Sequence, residues 1–269
     1  MALEYLPLLA VQRDLYRLPR GPERFRAYLS AMIDPATGDL RLPLTAMNPM
    51  GKDHVPELLD RLLALDADGE GARAMMEAEG ALEGRLDGHR VSLVVCDDAM
   101  GGWTNRFATE FDHRFRQGTL YRRGFVVALL WTSEAPALAV VREEVTRCVS
   151  RVVYVEQHGE ARTLGEMLAQ EGHVAKMAGW AGGLGVSPIV TAARTPVLDP
   201  DDLAYTREVL GPHLRCEERP VIMAALFGDE AATELGYRPL GLSARAGLAL
   251  ALADGECAAP RTLQVSAGA

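Results

Sequence analysis

The chain has 269 residues, of which 48% are hydrophobic and 24% are charged, which is ordinary usage for a globular protein. That composition excludes collagenous, low-complexity and wholly disordered chains. The formal net charge of −9 argues against nucleic acid as a partner, because affinity for a polyanion depends mainly on neutralising its phosphates.

The first ninety residues show the patterns of helices. Pro22, at a first helical position, predicts a helix that continues to Met32. A second helix is expected from Asp53, where a stripe of leucines follows, and a third over about 72–86, which is rich in alanine, glutamate and methionine. Between these two, the Asp-Gly-Glu-Gly stretch at 68–71 predicts a break.

The middle of the chain contains two compact apolar runs, at 91–96 and 125–131. Both are nearly continuous rather than alternating, which is typical of strands covered on both faces. A segment of helical length, about 104–116, separates them. We therefore expect a βαβ unit over about 90–131, with parallel strands and a right-handed crossover.

A long helix is expected next, because apolar residues recur at three- and four-residue steps through 152–155 as far as Gly159. Two strands do not make a stable sheet, so a third is expected from 187–192 or 220–227. For 220–227 a buried helix is the alternative.

These elements predict a helix-rich α/β fold, with a small, mostly parallel sheet flanked by helices and a helical N-terminal third. We expect a single globular domain over 1–255, made of a helical part (1–88) and an α/β part (89–255). Residues 256–269 are expected to form a flexible tail.

Two features bear on localisation and metal content. The N-terminal segment lacks the basic residue and the apolar length of a signal peptide, and no run of about 18 uncharged apolar residues predicts a membrane span. The four cysteines are widely spaced and form no C-x-x-C pair, which argues against a zinc or iron–sulfur site. We therefore expect a cytoplasmic protein with no membrane partner.

Polar side chains follow both predicted strands. Ligands of parallel sheets bind outside the carboxyl ends of the strands, and both segments should open on one edge. The candidate residues are Asp97, Asp98, Gly101, Gly102, Trp103, Thr104, Asn105 and Arg106 after the first strand, and Trp131, Thr132, Ser133 and Glu134 at the end of the second. Their convergence predicts a ligand site at this edge.

The three carboxylates are the candidate catalytic residues. Asp97 or Asp98 has the chemistry to hold Mg²⁺ or to act as a general base, and Glu134 would lie beside them. The structural alternative is that Asp-Asp before Gly-Gly is ordinary turn sequence.

The remaining candidates would bind substrate. Gly101 and Gly102 permit close approach of the backbone to a ligand, while Trp103 and Trp131 would wall the pocket. The helix start at Thr104–Arg106 suits an anionic group, and the Arg106 guanidinium is a forked donor. The alternatives are that Thr104 and Ser133 are helix N-caps and that the tryptophans belong to the core.

The loop at 48–54 is a second candidate region. Lys52 lies at a helix start, where the helix dipole disfavours a cation, so it is a candidate partner of a ligand or a carboxylate. His54 is a candidate base or metal ligand, although a lone histidine is more often a surface or capping residue.

These residues predict a small-molecule enzyme, a hydrolase or group transferase acting on an anionic substrate, with a phosphorylated compound as the candidate substrate and Mg²⁺ as the candidate cofactor. The alternative is a non-catalytic ligand-binding or protein-interaction domain, in which the helical N-terminal third is a docking or homo-oligomer surface.

Overall fold

The computed structural model describes residues 3–82, 86, 88–99, 104–181 and 196–257. Its three strands are β1 (Glu4–Tyr5), β2 (Arg90–Cys96) and β3 (Phe125–Trp131). The helices in the described ranges are α1 (Leu9–Leu15), α2 (Pro22–Met32), α3 (His54–Ala64), α4 (Ala67–Leu82), α5 (Arg106–Phe115), α6 (Gly118–Tyr121), α7 (Leu138–His158), α8 (Leu164–Ala181), α9 (Pro200–Leu210), α10 (Arg219–Glu234) and α11 (Ala246–Cys257).

The strands form one parallel sheet in the order β1-β2-β3. Every residue of β3 is buried, as is every residue of β2 after Arg90, because helices pack against them: α1 and α4 against β2, and α7 against β3. The predicted helix-rich α/β class is therefore confirmed, and so is the parallel pairing of the two apolar runs across a helical crossover.

Among the described residues, the third strand does not come from 220–227, which form the buried helix given as the alternative. Residues 220–227 lie in α10, and 187–192 fall outside the described residues. The third strand is β1, which pairs with the start of β2 through only two residues. Two residues are too few to show a periodic pattern, so nothing in the sequence indicates this strand.

The predicted break at 68–71 is also wrong, since these residues lie in the first turns of α4. Tertiary contacts explain the difference. Asp68 accepts hydrogen bonds from the Tyr5 hydroxyl (2.9 Å) and the Leu9 backbone N–H (3.3 Å), which tie α4 to the N-terminus. A Cβ at Gly71 would lie 2.5 Å from the Tyr5 hydroxyl oxygen, so this glycine permits close packing rather than ending a helix.

Residues 152–155 belong to α7, as predicted, and the helix ends before Gly159, which has φ +81°. Of the N-caps considered as structural alternatives, neither Thr104 nor Ser133 is found: Asn105 caps α5, and Ala137 occupies the N-cap position of α7. The Ser133 hydroxyl instead donates a hydrogen bond to Asp98 (2.7 Å), so tertiary contacts take the group that a cap would use.

The buried apolar residues form two clusters. The larger contains the sheet with α1, α3, α4 and α7. The smaller is built from α5, α8, α9, α10 and α11. Among the described helices, none has the length and hydropathy needed to cross a membrane.

Candidate functional site

The carboxyl ends of β2 and β3 lie side by side. Cys96 is the register partner of Trp131 in the parallel ladder, and the Thr132 N–H donates to the Cys96 carbonyl (3.1 Å). The segments that follow the two strands therefore leave the same edge of the sheet. This is the arrangement on which the predicted site depends.

Asp97 is buried, with 7% of its surface exposed. Its Oδ2 accepts a hydrogen bond from the Asn48 side-chain amide (2.7 Å), and its Oδ1 lies 2.7 Å from His54 Nε2. The Thr132 hydroxyl is 3.1 Å from the same Oδ1. Three side chains, two from the loop at 48–54 and one from the end of β3, thus hold one carboxylate.

Burial raises the pKa of Asp97, but the hydrogen bonds from His54 and Asn48 outweigh it and leave that pKa below its usual value. Asp97 is therefore ionised at neutral pH. An ionised carboxylate can only accept hydrogen bonds, so His54 carries a proton on Nε2. In the neutral imidazole this leaves the lone pair on Nδ1.

The second acidic residue, Asp98, belongs to a separate group that includes Arg106, Ser133 and Glu134. Arg106 Nη1 donates to Asp98 Oδ2 (2.9 Å) and to the Ser133 hydroxyl (2.8 Å), while Nη2 donates to Glu134. The Arg106 guanidinium also lies over the Trp131 ring, 4.8 Å from its centroid. These contacts fix the guanidinium between β3 and the segment after β2.

The Thr132 hydroxyl connects the two groups. It lies 3.1 Å from both Asp97 Oδ1 and Asp98 Oδ1, and it accepts from the backbone N–H groups of Asp98 (3.0 Å) and Ala99 (3.1 Å). A hydroxyl has one proton, so it donates to one carboxylate at a time.

The remaining predicted residues are placed as follows. Asn105 accepts from the Ala108 N–H (2.9 Å) and donates to Glu234 (2.6 Å), so its amide is engaged in capping α5. Thr104 is half-buried beside Cys96 (Oγ1 to Sγ, 4.0 Å), and Lys52 is exposed. Gly101, Gly102 and Trp103 lie outside the described residues.

Sequence reasoning named Asp97 but not its set of partners. Asn48 was identified only as part of a loop, and Thr132 and His54 were candidate residues that were not connected with Asp97. These residues lie 49, 35 and 43 positions from Asp97. The loop at 48–54 did contain the candidates Lys52 and His54. The spacing of residues along the chain, however, does not show that α3 begins beside the end of β2.

The described residues contain no group of three or more histidine, cysteine, aspartate or glutamate side chains placed to hold a metal ion. The oxygens of Asp97 and Asp98 accept hydrogen bonds from Asn48, Arg106 and the backbone N–H of Ser133 (2.9 Å), among other donors. Mg²⁺ at these carboxylates would have to displace such donors, so the geometry favours hydrogen bonding over metal binding there.

A buried ionic network lies behind the site. Glu110 forms a bidentate pair with Arg245 (2.8 and 2.7 Å) and also accepts from Arg114. Arg114 continues to Glu171, which in turn pairs with Arg151. The network links α5 to α7, α8 and the start of α11, and thereby joins the two apolar clusters.

His113 lies within this network, 9% exposed, with Nε2 3.5 Å from Cys148 Sγ. Burial and, to a smaller extent, the positive charge of Arg151 together lower the pKa of His113 to about 4. Burial likewise raises the pKa of the Cys148 thiol to about 12, which makes this thiol protonated and unreactive at neutral pH.

We expect His113 to make the fold acid-sensitive. Its pKa is about 4 when folded and 6.5 when unfolded, so below pH 6.5 the unfolded chain binds more protons. The contribution of His113 to the free energy of unfolding is complete above pH 6.5, and about 2 kcal/mol of it is lost by pH 5.

Urea unfolding at pH 7 and pH 5 measures this loss. His113→Gln should lose less stability between the two pH values than the wild type does. His158→Gln, which changes an exposed position, should lose as much stability as the wild type. Equal losses in all three proteins would contradict the assignment.

Comparison of the chain with models of protein families, with curated proteins and with solved structures gave no match.

Proposed function

We propose that the chain is a small-molecule enzyme, a hydrolase or group transferase, in which His54 and Asp97 act as a general-base pair at the carboxyl ends of the strands. The observation that carries the proposal is the 2.7 Å contact between His54 Nε2 and the buried Asp97 carboxylate. A carboxylate in this position fixes the imidazole tautomer and stabilises the imidazolium formed when the base takes a proton.

The rest of the His54 ring supports this role. Nδ1, which carries the lone pair, is buried and has no hydrogen-bond partner among the described residues. The side chain as a whole is 21% exposed. A buried polar atom without a partner is costly for a fold, and such atoms call for an explanation. A reacting hydroxyl or water molecule at Nδ1 would supply the missing partner.

The charge of the substrate is inferred from the cations near the site. Arg106, the forked donor expected to bind an anion, is engaged by Asp98, Ser133 and Glu134. Lys52, two residues before His54, is exposed and is the cation that we propose meets an anionic substrate group. A phosphorylated substrate is therefore tested against a neutral ester rather than assumed.

A non-catalytic ligand-binding or interaction domain is the second candidate. The observation that favours it is the mutual satisfaction of Asp98, Arg106, Ser133 and Glu134, which is what a structural polar cluster requires.

Turnover of chromogenic probes distinguishes the two. We expect the full chain to hydrolyse p-nitrophenyl acetate or p-nitrophenyl phosphate, and His54→Gln and Asp97→Asn to reduce the rate about 10²–10⁴-fold, the usual contribution of a general base. Asp53→Asn is the matched control: it makes the same carboxylate-to-amide change at an exposed residue beside His54 and should keep wild-type turnover.

Thermal unfolding of each variant shows whether a lost rate reflects lost folding. His54→Gln is the safer variant, because its side chain is partly exposed. Folded variants that turn over the probes like the wild type, or a wild type that turns over neither probe with or without Mg²⁺, would reject the enzyme and favour the binding domain.

A further inference from the structure

A cavity lies away from the strand ends, between α8 and α11. Its volume is about 350 Å³, within the range of small-molecule pockets. The helices approach closely beside it: a Cβ at Gly255 would lie 2.1 Å from the Gly172 carbonyl oxygen. Glycine at both positions lets the two backbones touch.

The cavity has an apolar wall. The apolar side chains that line it are Leu168, Ala169, Leu250 and Ala251. Leu250 and Ala251 are buried in α11, whereas Ala169 is exposed at the rim on α8. A hydrocarbon group placed here would remove apolar surface from water on both helices.

The polar part of the lining is positive. Lys176 and His173 lie on α8, and Asp254 lies on α11. Asp254 pairs with Arg207 (2.5 Å), so its negative charge is balanced. Lys176 makes no ion pair with any residue that the structure describes. The chain as a whole carries a net charge of −9, so a local excess of positive charge runs against its overall balance.

Lys176 supplies that charge. Burial lowers the pKa of the neighbouring His173, and electrostatic repulsion from His158 and Lys176 lowers it further, which favours the neutral imidazole. The neutral ring can still donate a hydrogen bond. The Tyr154 ring packs against His173 at 5.1 Å and helps to fix its position.

We propose that this cavity binds a small amphiphilic anion, a medium-chain carboxylate, with its hydrocarbon chain against Leu168 and Leu250 and its head group at Lys176 and His173. The apolar wall and the single cationic end complement these two parts of the ligand. The site is independent of the His54–Asp97 pair.

Calorimetric titration of the full chain with octanoate tests the proposal. We expect one octanoate per chain in the wild type, and a loss of affinity of about tenfold or more in Lys176→Gln, because a charge-assisted contact is removed. Arg26→Gln removes a positive charge at an exposed position of α2 and should bind octanoate like the wild type. Octylammonium, which has the same chain and the opposite charge, and acetate, which lacks the chain, should not bind.

A second variant tests the cavity itself. Ala169→Trp fills it from the exposed rim without changing the charge and should abolish binding, with thermal unfolding as the check on folding. The proposal is overturned if octanoate does not bind the wild type, if octylammonium binds equally well, or if folded Lys176→Gln keeps wild-type affinity.

Discussion

Replacing Glu171 with glutamine should reduce the free energy of unfolding by about 3–5 kcal/mol, the usual cost of breaking a buried ion pair from one side. Glu171 is 6% exposed and Arg151 is 2% exposed. Arg151 donates two hydrogen bonds to the carboxylate, from Nε to Oε1 (2.8 Å) and from Nη2 to Oε2 (2.9 Å). Arg114 donates to Oε2 as well. Glutamine keeps the shape but leaves two buried guanidinium groups facing a neutral amide.

The direction of the pKa agrees with this expectation. Burial alone raises the pKa of Glu171, but Arg151 and Arg114 outweigh burial and hold that pKa well below its usual value. The pairing therefore favours the charged form despite its removal from water. The variant still buries both arginines at the same desolvation cost. It lacks the carboxylate that offsets this cost, so the free energy of unfolding falls.

Urea unfolding at pH 7 measures the effect. Glu156→Gln is the matched control, because it makes the same change at an exposed position of α7 and should cost under about 0.5 kcal/mol. A double variant, Glu171→Leu with Arg151→Met, should recover part of the loss, since it removes two of the buried charges together. A loss below about 1 kcal/mol in Glu171→Gln would mean that water reaches the pair and screens it.

The sequence predicted the part of the fold that depends on long patterns. The apolar runs at 91–96 and 125–131, which lie in β2 and β3, are buried on both faces, so their composition alone identified them as parallel strands. The valines of 152–155 were assigned to a helix because a three- and four-residue repeat leads into them. Each of these patterns is longer than one turn or one pleat.

Features that depend on single tertiary contacts were not predictable. β1 has two residues, and the glycines at 69 and 71 lie inside a helix because of Tyr5 and Asp68. In the site, Asp97 could be named from its place after a strand. The pairing of Asp97 with His54 depends on where α3 begins in space, and nothing in the spacing of the two residues indicates it.

Gln12 explains how so short a first strand can complete the sheet, and its replacement by leucine should cost about 2–6 kcal/mol. After Leu6, whose N–H donates to the Val91 carbonyl (2.8 Å), the chain leaves the sheet and turns into α1. The Gln12 side chain takes over the pairing: Nε2 donates to the Leu93 carbonyl (2.9 Å), and Oε1 accepts from the Val95 N–H (2.8 Å). One side-chain amide thus replaces a backbone peptide group at the edge of β2.

The expected cost follows from those two backbone groups. Gln12 is fully buried, so neither the Leu93 carbonyl nor the Val95 N–H can turn to water when the amide is removed. Each unpaired buried group costs about 1–3 kcal/mol, and leucine, although similar in size, pairs with neither. Gln157→Leu, at an exposed position of α7, is the control for the chemical change and should be nearly neutral.

Urea unfolding gives the size of the effect, and amide hydrogen exchange locates it. In Gln12→Leu the Val95 amide should exchange faster relative to the amides of β3 than it does in the wild type, because its acceptor is gone. Val95 is two residues before Asp97, so loosening here should also reach the carboxylate that holds His54. A variant that unfolds like the wild type and keeps Val95 protected would show that another group pairs with this edge, and the proposed role of the Gln12 amide would be wrong.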